Sequence, residues 1–73
     1  MEEKVISILR VVLDDELVDA DTSQGNCDKW DSMAQLNLAV EIEAAFNVSL
    51  EPEQIAEMRS VQDIVRILSG MKK

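Results

Sequence analysis

The spacing of apolar residues along a chain of only 73 residues most restricts the fold of this protein. Apolar residues recur with the period of a helix over residues 5–13, 33–46 and 61–68. Gly and Pro together number three, so few residues interrupt these segments. A chain of this length builds one modest core. We therefore predict an all-α fold, a small four-helix bundle with three main helices and one short helix, in which residues 1–73 form a single domain.

Local signals predict where the helices begin and end. The first helix is predicted to start near Glu2 and to end at the acidic run 14–16, and a long loop follows from Glu16 to Asp31. Asp31 directly precedes the second periodic segment, where a carboxylate accepts hydrogen bonds from the N–H groups of the first turn. The remaining signals are Asn47 at the end of the second helix, Pro52 in the first turn of a short helix through Met58, Ser60 with Asp63 as a capping box for the last helix, and Gly70 at its end.

The second helix carries more apolar residues than one small core requires. One ridge, predicted to be buried, consists of Leu38, Ile42 and Phe46. A second apolar row on an adjacent flank, here called the flank stripe, consists of Met33, Leu36 and Val40. The long loop is predicted to anchor in the core through Leu17, Val18, Cys27 and Trp30.

Composition excludes several classes of function. The chain has no His and a single Cys, which excludes Ser-His-Asp and Cys-His catalysis, His-ligated zinc and an internal disulfide. Seven basic against 15 acidic residues give a net charge of −8, which repels nucleic acids and anionic lipids. No segment approaches the roughly 20 apolar residues of a membrane span, and the start of the chain lacks the pattern of a signal peptide. We therefore expect a cytoplasmic, non-catalytic protein with a basic protein surface as its partner.

The long loop partly follows the frame of an EF-hand calcium site. Asp19, Asp21 and Ser23 fall at positions 1, 3 and 5 of that frame. The frame fails at position 6, which is Gln24 instead of Gly, and at position 12, which is Trp30 instead of Glu. A calcium-responsive helix-loop-helix protein is therefore the weakest of the hypotheses, and we expect no metal site.

Ser32 is the strongest candidate for a functional residue. It directly follows Asp31 at the end of the long loop, so we expect its hydroxyl to be exposed near a helix N-terminus, where the helix dipole stabilises an attached phosphate. That position suits a covalent phosphate ester. The plain alternative is an ordinary helix N-terminus in which Asp31 or Ser32 only caps. Nothing near Ser32 is suited to act as its base, so we do not expect an activated nucleophile.

Around Ser32 the sequence resembles the acyl carrier proteins, the phosphopantetheine-carrying four-helix domains of fatty-acid, polyketide and related pathways. The family pattern is Asp-Ser-Leu followed by an amphipathic helix of the form xxVEL...ALEEEF. Here residues 31–38 read Asp-Ser-Met-Ala-Gln-Leu-Asn-Leu, and residues 41–46 read Glu-Ile-Glu-Ala-Ala-Phe. The resemblance extends over the whole chain, from the long loop before the serine to the short acidic helix and the closing helix, and it implies a stand-alone carrier.

The resemblance implies a role for each matching position. Ser32 would receive 4′-phosphopantetheine from coenzyme A through a separate phosphopantetheinyl transferase, and the thiol of that arm would hold an acyl group as a thioester. Asp31 would help to position the transferase and its metal-bound substrate. The flank stripe would contact acyl-loading and acyl-processing enzymes, and Glu43, Glu53 and Glu57 would supply negative charge towards their basic docking surfaces. The implied protein is a monomer that shuttles between enzymes.

Four positions depart from the family pattern. Met33 replaces the usual Leu, Asn37 stands where Glu is usual, and Ala34 and Ala44 occupy positions that are often acidic. The departures leave the partners open among enzymes of fatty-acid, polyketide and specialised acyl-transfer pathways. Also open is whether the acyl chain enters between the helices, as it does in related carriers. The alternative from another class is a small helical adaptor without a prosthetic group, which uses only the flank stripe to bind a protein.

Overall fold

A computed structural model describes residues 2–71 of the protein, which form four α-helices. They are α1 (Glu2–Val12), α2 (Ser32–Phe46), α3 (Pro52–Glu57) and α4 (Val61–Met71), and a short 3₁₀ turn (Gln24–Asn26) lies in the loop between α1 and α2. The predicted all-α class, with three main helices and one short helix, is confirmed. The predicted single domain spans residues 1–73, of which residues 1, 72 and 73 lie outside the described part of the chain.

The core lies where α1, α2 and α4 meet. α1 packs against both α2 and α4, and α3 packs on α2. The predicted ridge of α2 is confirmed, since Leu38 and Ile42 have no exposed surface and Phe46 is buried beside them. Burial of each large aliphatic side chain contributes about 1.5–3 kcal/mol, so this interface fixes α2 and the serine at its N-terminal end. None of the helices within residues 2–71 has the length and apolar character needed to cross a lipid bilayer.

Both ends of α2 form as their sequences predict. The Asp31 side chain caps the helix, because its Oδ1 accepts a hydrogen bond from the backbone N–H of Ala34 at 2.9 Å. Asn47 ends the helix in the left-handed conformation, with a φ of 55°. Asn tolerates this conformation better than most residues do, which accounts for its position here. Pro52 occupies the first turn of α3 as predicted.

The ends of α4 differ from the prediction. The Ser60 hydroxyl accepts a hydrogen bond from the N–H of Asp63 at 3.0 Å, which is half of the predicted capping box. The Asp63 carboxylate instead pairs with Arg66 at 3.0 Å. The prediction that Gly70 ends the helix is wrong, because α4 continues through Gly70 to Met71. Gly ends a helix when it adopts a positive φ, and Gly70 does not.

Backbone hydrogen bonds order the long loop. The N–H of Gln24 donates to the Arg59 carbonyl at 2.8 Å, and the N–H of Val61 donates to the Thr22 carbonyl at 3.0 Å. These bonds attach the loop to the connection between α3 and α4, which places the loop, α3 and the start of α2 side by side.

Of the four predicted loop anchors, Val18, Cys27 and Trp30 are buried as expected. The prediction that Leu17 anchors the loop in the core is wrong, since its side chain is 86% exposed. The N–H of Leu17 donates to the Asp15 carboxylate at 2.9 Å, and this turn directs Val18 rather than Leu17 into the core.

Candidate functional site

Ser32 is the first residue of α2, and its side chain is exposed at the N-terminal end of that helix. Asp31 supplies the cap, so the serine hydroxyl is not needed for it. Among residues 2–71, no group holds the Ser32 hydroxyl by a hydrogen bond. Asp31 therefore caps the helix, and the Ser32 hydroxyl is exposed and not engaged in that cap.

An open cavity of about 330 Å³ lies beside Ser32. Its lining comes from the loop, α2 and α3 and consists of Gln24, Trp30, Asp31, Ser32, Gln35 and Ala56. The first N–H groups of an α-helix have no carbonyl partner within the helix, and the helix dipole adds partial positive charge there. An exposed hydroxyl at the end of a 15-residue helix, with open space beside it, fits an arm attached through a phosphodiester.

The flank stripe is exposed on the helix that Ser32 begins. Met33 is 75% exposed, Leu36 63% and Val40 61%. Exposed apolar side chains that lie together, rather than scattered singly, mark surfaces that bind other molecules. The stripe is therefore a second feature of the site, next to the serine and outside the core.

The three predicted acidic partner residues have different surroundings. Glu53 and Glu57 are exposed on α3. Glu43 is half-buried, and its Oε2 accepts a hydrogen bond from the backbone N–H of Leu50 at 2.8 Å. The Glu43 carboxylate thus holds the connection between α2 and α3, a structural role that its place on the helix does not reveal.

The acidic charge is concentrated in the part of the chain that surrounds Ser32. From residue 11 to residue 57 the sequence has twelve acidic residues and one basic residue, Lys29. The Lys29 ammonium donates to the carbonyl of Asp14 at 2.7 Å, within the loop. A strongly negative surface of this kind attracts basic surfaces over a distance of about 10 Å at ordinary salt.

Gln35 is the member of the site that sequence reasoning missed. Its Oε1 accepts hydrogen bonds from the Trp30 indole N–H at 2.6 Å and from the Gln24 amide at 3.2 Å. Its Nε2 donates to the carbonyl of Met58 at 2.9 Å and to that of Ile55. The only available signal was the indole N–H of a buried Trp30, which needs an acceptor.

Side chains of the acidic loop form hydrogen bonds within the loop itself. Asp19 Oδ1 accepts hydrogen bonds from the N–H of Asp21 at 2.9 Å and from the Thr22 hydroxyl at 3.4 Å. Within residues 2–71, no three or more His, Cys, Asp or Glu side chains are grouped so as to hold a metal ion. The hydrogen bonds from Asp21 and Thr22 give the Asp19 carboxylate a role in a local turn.

Comparison with models of known protein families places the chain in a family. The family model described as phosphopantetheine attachment site matches residues 3–68, a range that contains Ser32, its cavity and the flank stripe. No curated protein matches the chain with significance. Members of the matching family carry a covalently attached 4′-phosphopantetheine.

Proposed function

The chain belongs to the phosphopantetheine attachment site family, and we propose that Ser32 is the residue that carries the 4′-phosphopantetheine. The observation that supports this assignment is the exposed Ser32 hydroxyl at the start of α2, with Asp31 as the cap and an open cavity beside it. Carrier domains of this family are generally not catalysts. We propose that this chain likewise carries acyl groups and leaves the chemistry to other enzymes.

The chain's own residues contribute position and electrostatics. The N-terminal end of α2 stabilises the negative charge of a phosphodiester on Ser32. When attached, the arm supplies a thiol that holds an acyl group as a thioester. The buried ridge of α2 keeps Ser32 on a rigid helix end, and a tether from a fixed point raises the effective concentration of the acyl group at an enzyme that binds the carrier.

The proposed partners are a phosphopantetheinyl transferase and acyl-processing enzymes with basic surfaces beside an apolar groove. The flank stripe offers apolar contact next to Ser32, and Glu53 and Glu57 on α3 add negative charge that accelerates encounter. Glu43 is less accessible to a partner, because it is half-buried and its carboxylate accepts the Leu50 N–H. Contacts of this kind suit a monomer that binds and leaves several enzymes. Enzymes of fatty-acid, polyketide or specialised acyl-transfer pathways are the proposed users.

Attachment is tested by incubating the protein with coenzyme A and a broad-specificity phosphopantetheinyl transferase, followed by intact mass measurement. We expect the wild type to gain the mass of one phosphopantetheine and Ser32→Ala to gain none. Ser49→Ala is the matched control, because Ser49 is also an exposed serine near α2 and should load normally. A wild type that gains no mass, or a Ser32→Ala variant that does, contradicts the proposal. If the wild type gains no mass and the Ser32→Ala variant still binds a partner protein, the adaptor without a prosthetic group is favoured instead.

The docking surface is tested by the rate of the same reaction. Leu36→Asp places a charge in the flank stripe, and we expect kcat/KM of the transferase to fall about tenfold or more, the effect of losing about 1.4 kcal/mol of contact. Leu17→Asp is the matched control, since Leu17 is an 86% exposed leucine that lies in the loop between α1 and α2 instead of on α2. Equal loading rates for the two variants would remove the stripe from the proposed surface.

A further inference from the structure

A polar side chain joins α2 and α3 beside Ser32. Gln35 lies three positions after the serine and is half-buried. Its amide donates to the carbonyls of Ile55 and Met58, at the end of α3. α3 has only six residues, and the last carbonyls of a helix lack the usual partners four residues further on. The Ile55 carbonyl also accepts the N–H of Met58 at 3.1 Å. Gln35 therefore supplies hydrogen bonds that hold the end of α3 against α2.

Trp30, in the loop before α2, also bonds to Gln35. The contacts of Gln35 with Trp30, Ile55 and Met58 are here called the junction. Its side chain is 4% exposed, and its indole N–H donates to Gln35 Oε1 at 2.6 Å. In the part of the chain that the structure describes, every buried side-chain N or O atom has a hydrogen-bond partner. Moving Gln35 away would leave the Trp30 N–H and the Met58 carbonyl without the partners that Gln35 supplies, and it would take from the Ile55 carbonyl one of its two donors. Such losses are unfavourable in a part-buried position. The junction resists opening for that reason.

The cavity beside Ser32 ends at this junction. Gln35 and Trp30 line it, whereas Leu38 and Ile42, which belong to the aliphatic core, do not. An apolar chain tethered at Ser32 would be more stable inside an aliphatic core than in water. From this cavity, however, it first meets the hydrogen-bonded side chains of Gln35 and Trp30.

We propose that Gln35 keeps the junction between α2 and α3 closed, so that an acyl group carried on Ser32 stays outside the bundle. A carrier of this kind suits short or polar acyl groups, because a long aliphatic chain would remain in contact with water. The inference rests on the proposed attachment of phosphopantetheine to Ser32.

The test compares acetyl and octanoyl thioesters on the wild-type protein. Both are loaded from the acyl-coenzyme A by a broad-specificity transferase, and cleavage by hydroxylamine is followed by intact mass. Each rate is divided by that of the same acyl-coenzyme A, which removes the intrinsic reactivity of the thioester. We expect the two normalised rates to agree within about two-fold, because the rate scales with the fraction of time that the thioester spends outside the bundle. Stronger protection of the octanoyl thioester overturns the proposal.

Two variants test the role of Gln35 itself. Gln35→Ala removes the bonds to α3 and Trp30, and we expect its octanoyl thioester to be cleaved more than about two-fold more slowly than its acetyl thioester. Gln24→Ala is the matched control, because it removes an exposed side chain that bonds the same Gln35 oxygen but does not reach α3. It should behave as the wild type. A folded Gln35→Ala without protection overturns the role of Gln35, and if that variant does not fold, the wild-type comparison decides.

The two proposals fail in different ways. If no acyl-phosphopantetheine adds to Ser32, attachment itself is wrong. If the adduct forms but the octanoyl thioester is protected in the wild type, attachment stands and only the closed junction is refuted.

Discussion

Asp31 has two expected tasks, capping α2 and positioning the transferase, and substitution separates them. Its Oδ1 accepts the N–H of Ala34 at 2.9 Å, and Asp31→Ala removes this acceptor. Loss of an N-cap acceptor lowers the free energy of unfolding by about 0.5–2 kcal/mol, typically about 1. A change of 1 kcal/mol moves the Tm of a domain of this size by about 4–8 °C. We therefore expect Asp31→Ala to unfold about 4–8 °C below the wild type.

Asp31→Asn is the matched variant, because Asn keeps an Oδ1 acceptor and removes the charge. Asn and Asp are about equally favourable at the N-cap, so this variant should unfold within about 2 °C of the wild type. Its rate of phosphopantetheine loading should nevertheless fall about 10–100-fold, because contacts to a charged group contribute about 1.5–3 kcal/mol and each 1.36 kcal/mol is a factor of ten.

Thermal unfolding followed by circular dichroism and initial loading rates followed by mass give the two readouts. A wild-type Tm for Asp31→Ala would refute the cap. An Asp31→Asn variant that unfolds as early as Asp31→Ala would show that the charge, rather than the acceptor, stabilises α2. Wild-type loading of Asp31→Asn would refute the proposed contact with the transferase.

Urea unfolding tests the packing and the helix ends. Leu38→Ala should lower the free energy of unfolding by about 2–5 kcal/mol, since Leu38 has no exposed surface, and a loss below about 1 kcal/mol would contradict its place in the core. Gly70→Ala should raise it by up to about 1 kcal/mol, because Gly70 lies within α4 and an added Cβ meets no atom within 4 Å; a decrease would contradict the helical assignment. Glu43→Ala should lower it by about 0.5–1.5 kcal/mol through loss of the bond to Leu50, and Glu43→Gln, which keeps an acceptor, should recover most of that loss.

Local patterns predicted the helices and the start of the site. The ridge Leu38, Ile42 and Phe46 repeats every four residues, and the flank stripe repeats at spacings of three and then four. A helix places both sets in rows, whereas a strand would put residues three apart on opposite faces. Asp31 and Asn47 directly flank α2 and bond to the backbone of α2 itself, so their capping roles could be predicted from the sequence.

The predictions from the sequence differ from the structure where contacts between distant residues or backbone angles decide the outcome. Leu17 and Val18 are adjacent apolar residues in a loop without a period, and only the turn at residues 15–17 decides which of them is buried. Gly70 fits a helix end by residue type, but its φ is not positive. Gln35 bonds carbonyls 20 and 23 positions away, and no local pattern predicts a contact of that kind.

Fragmentation mass spectrometry of the protein after reaction with coenzyme A and the transferase tests attachment at Ser32 most directly. It reports which residue carries the added mass, independently of any substitution. Our prediction is one phosphopantetheine per chain, on fragments that contain Ser32. An adduct on another exposed serine such as Ser49, or no adduct, would contradict it.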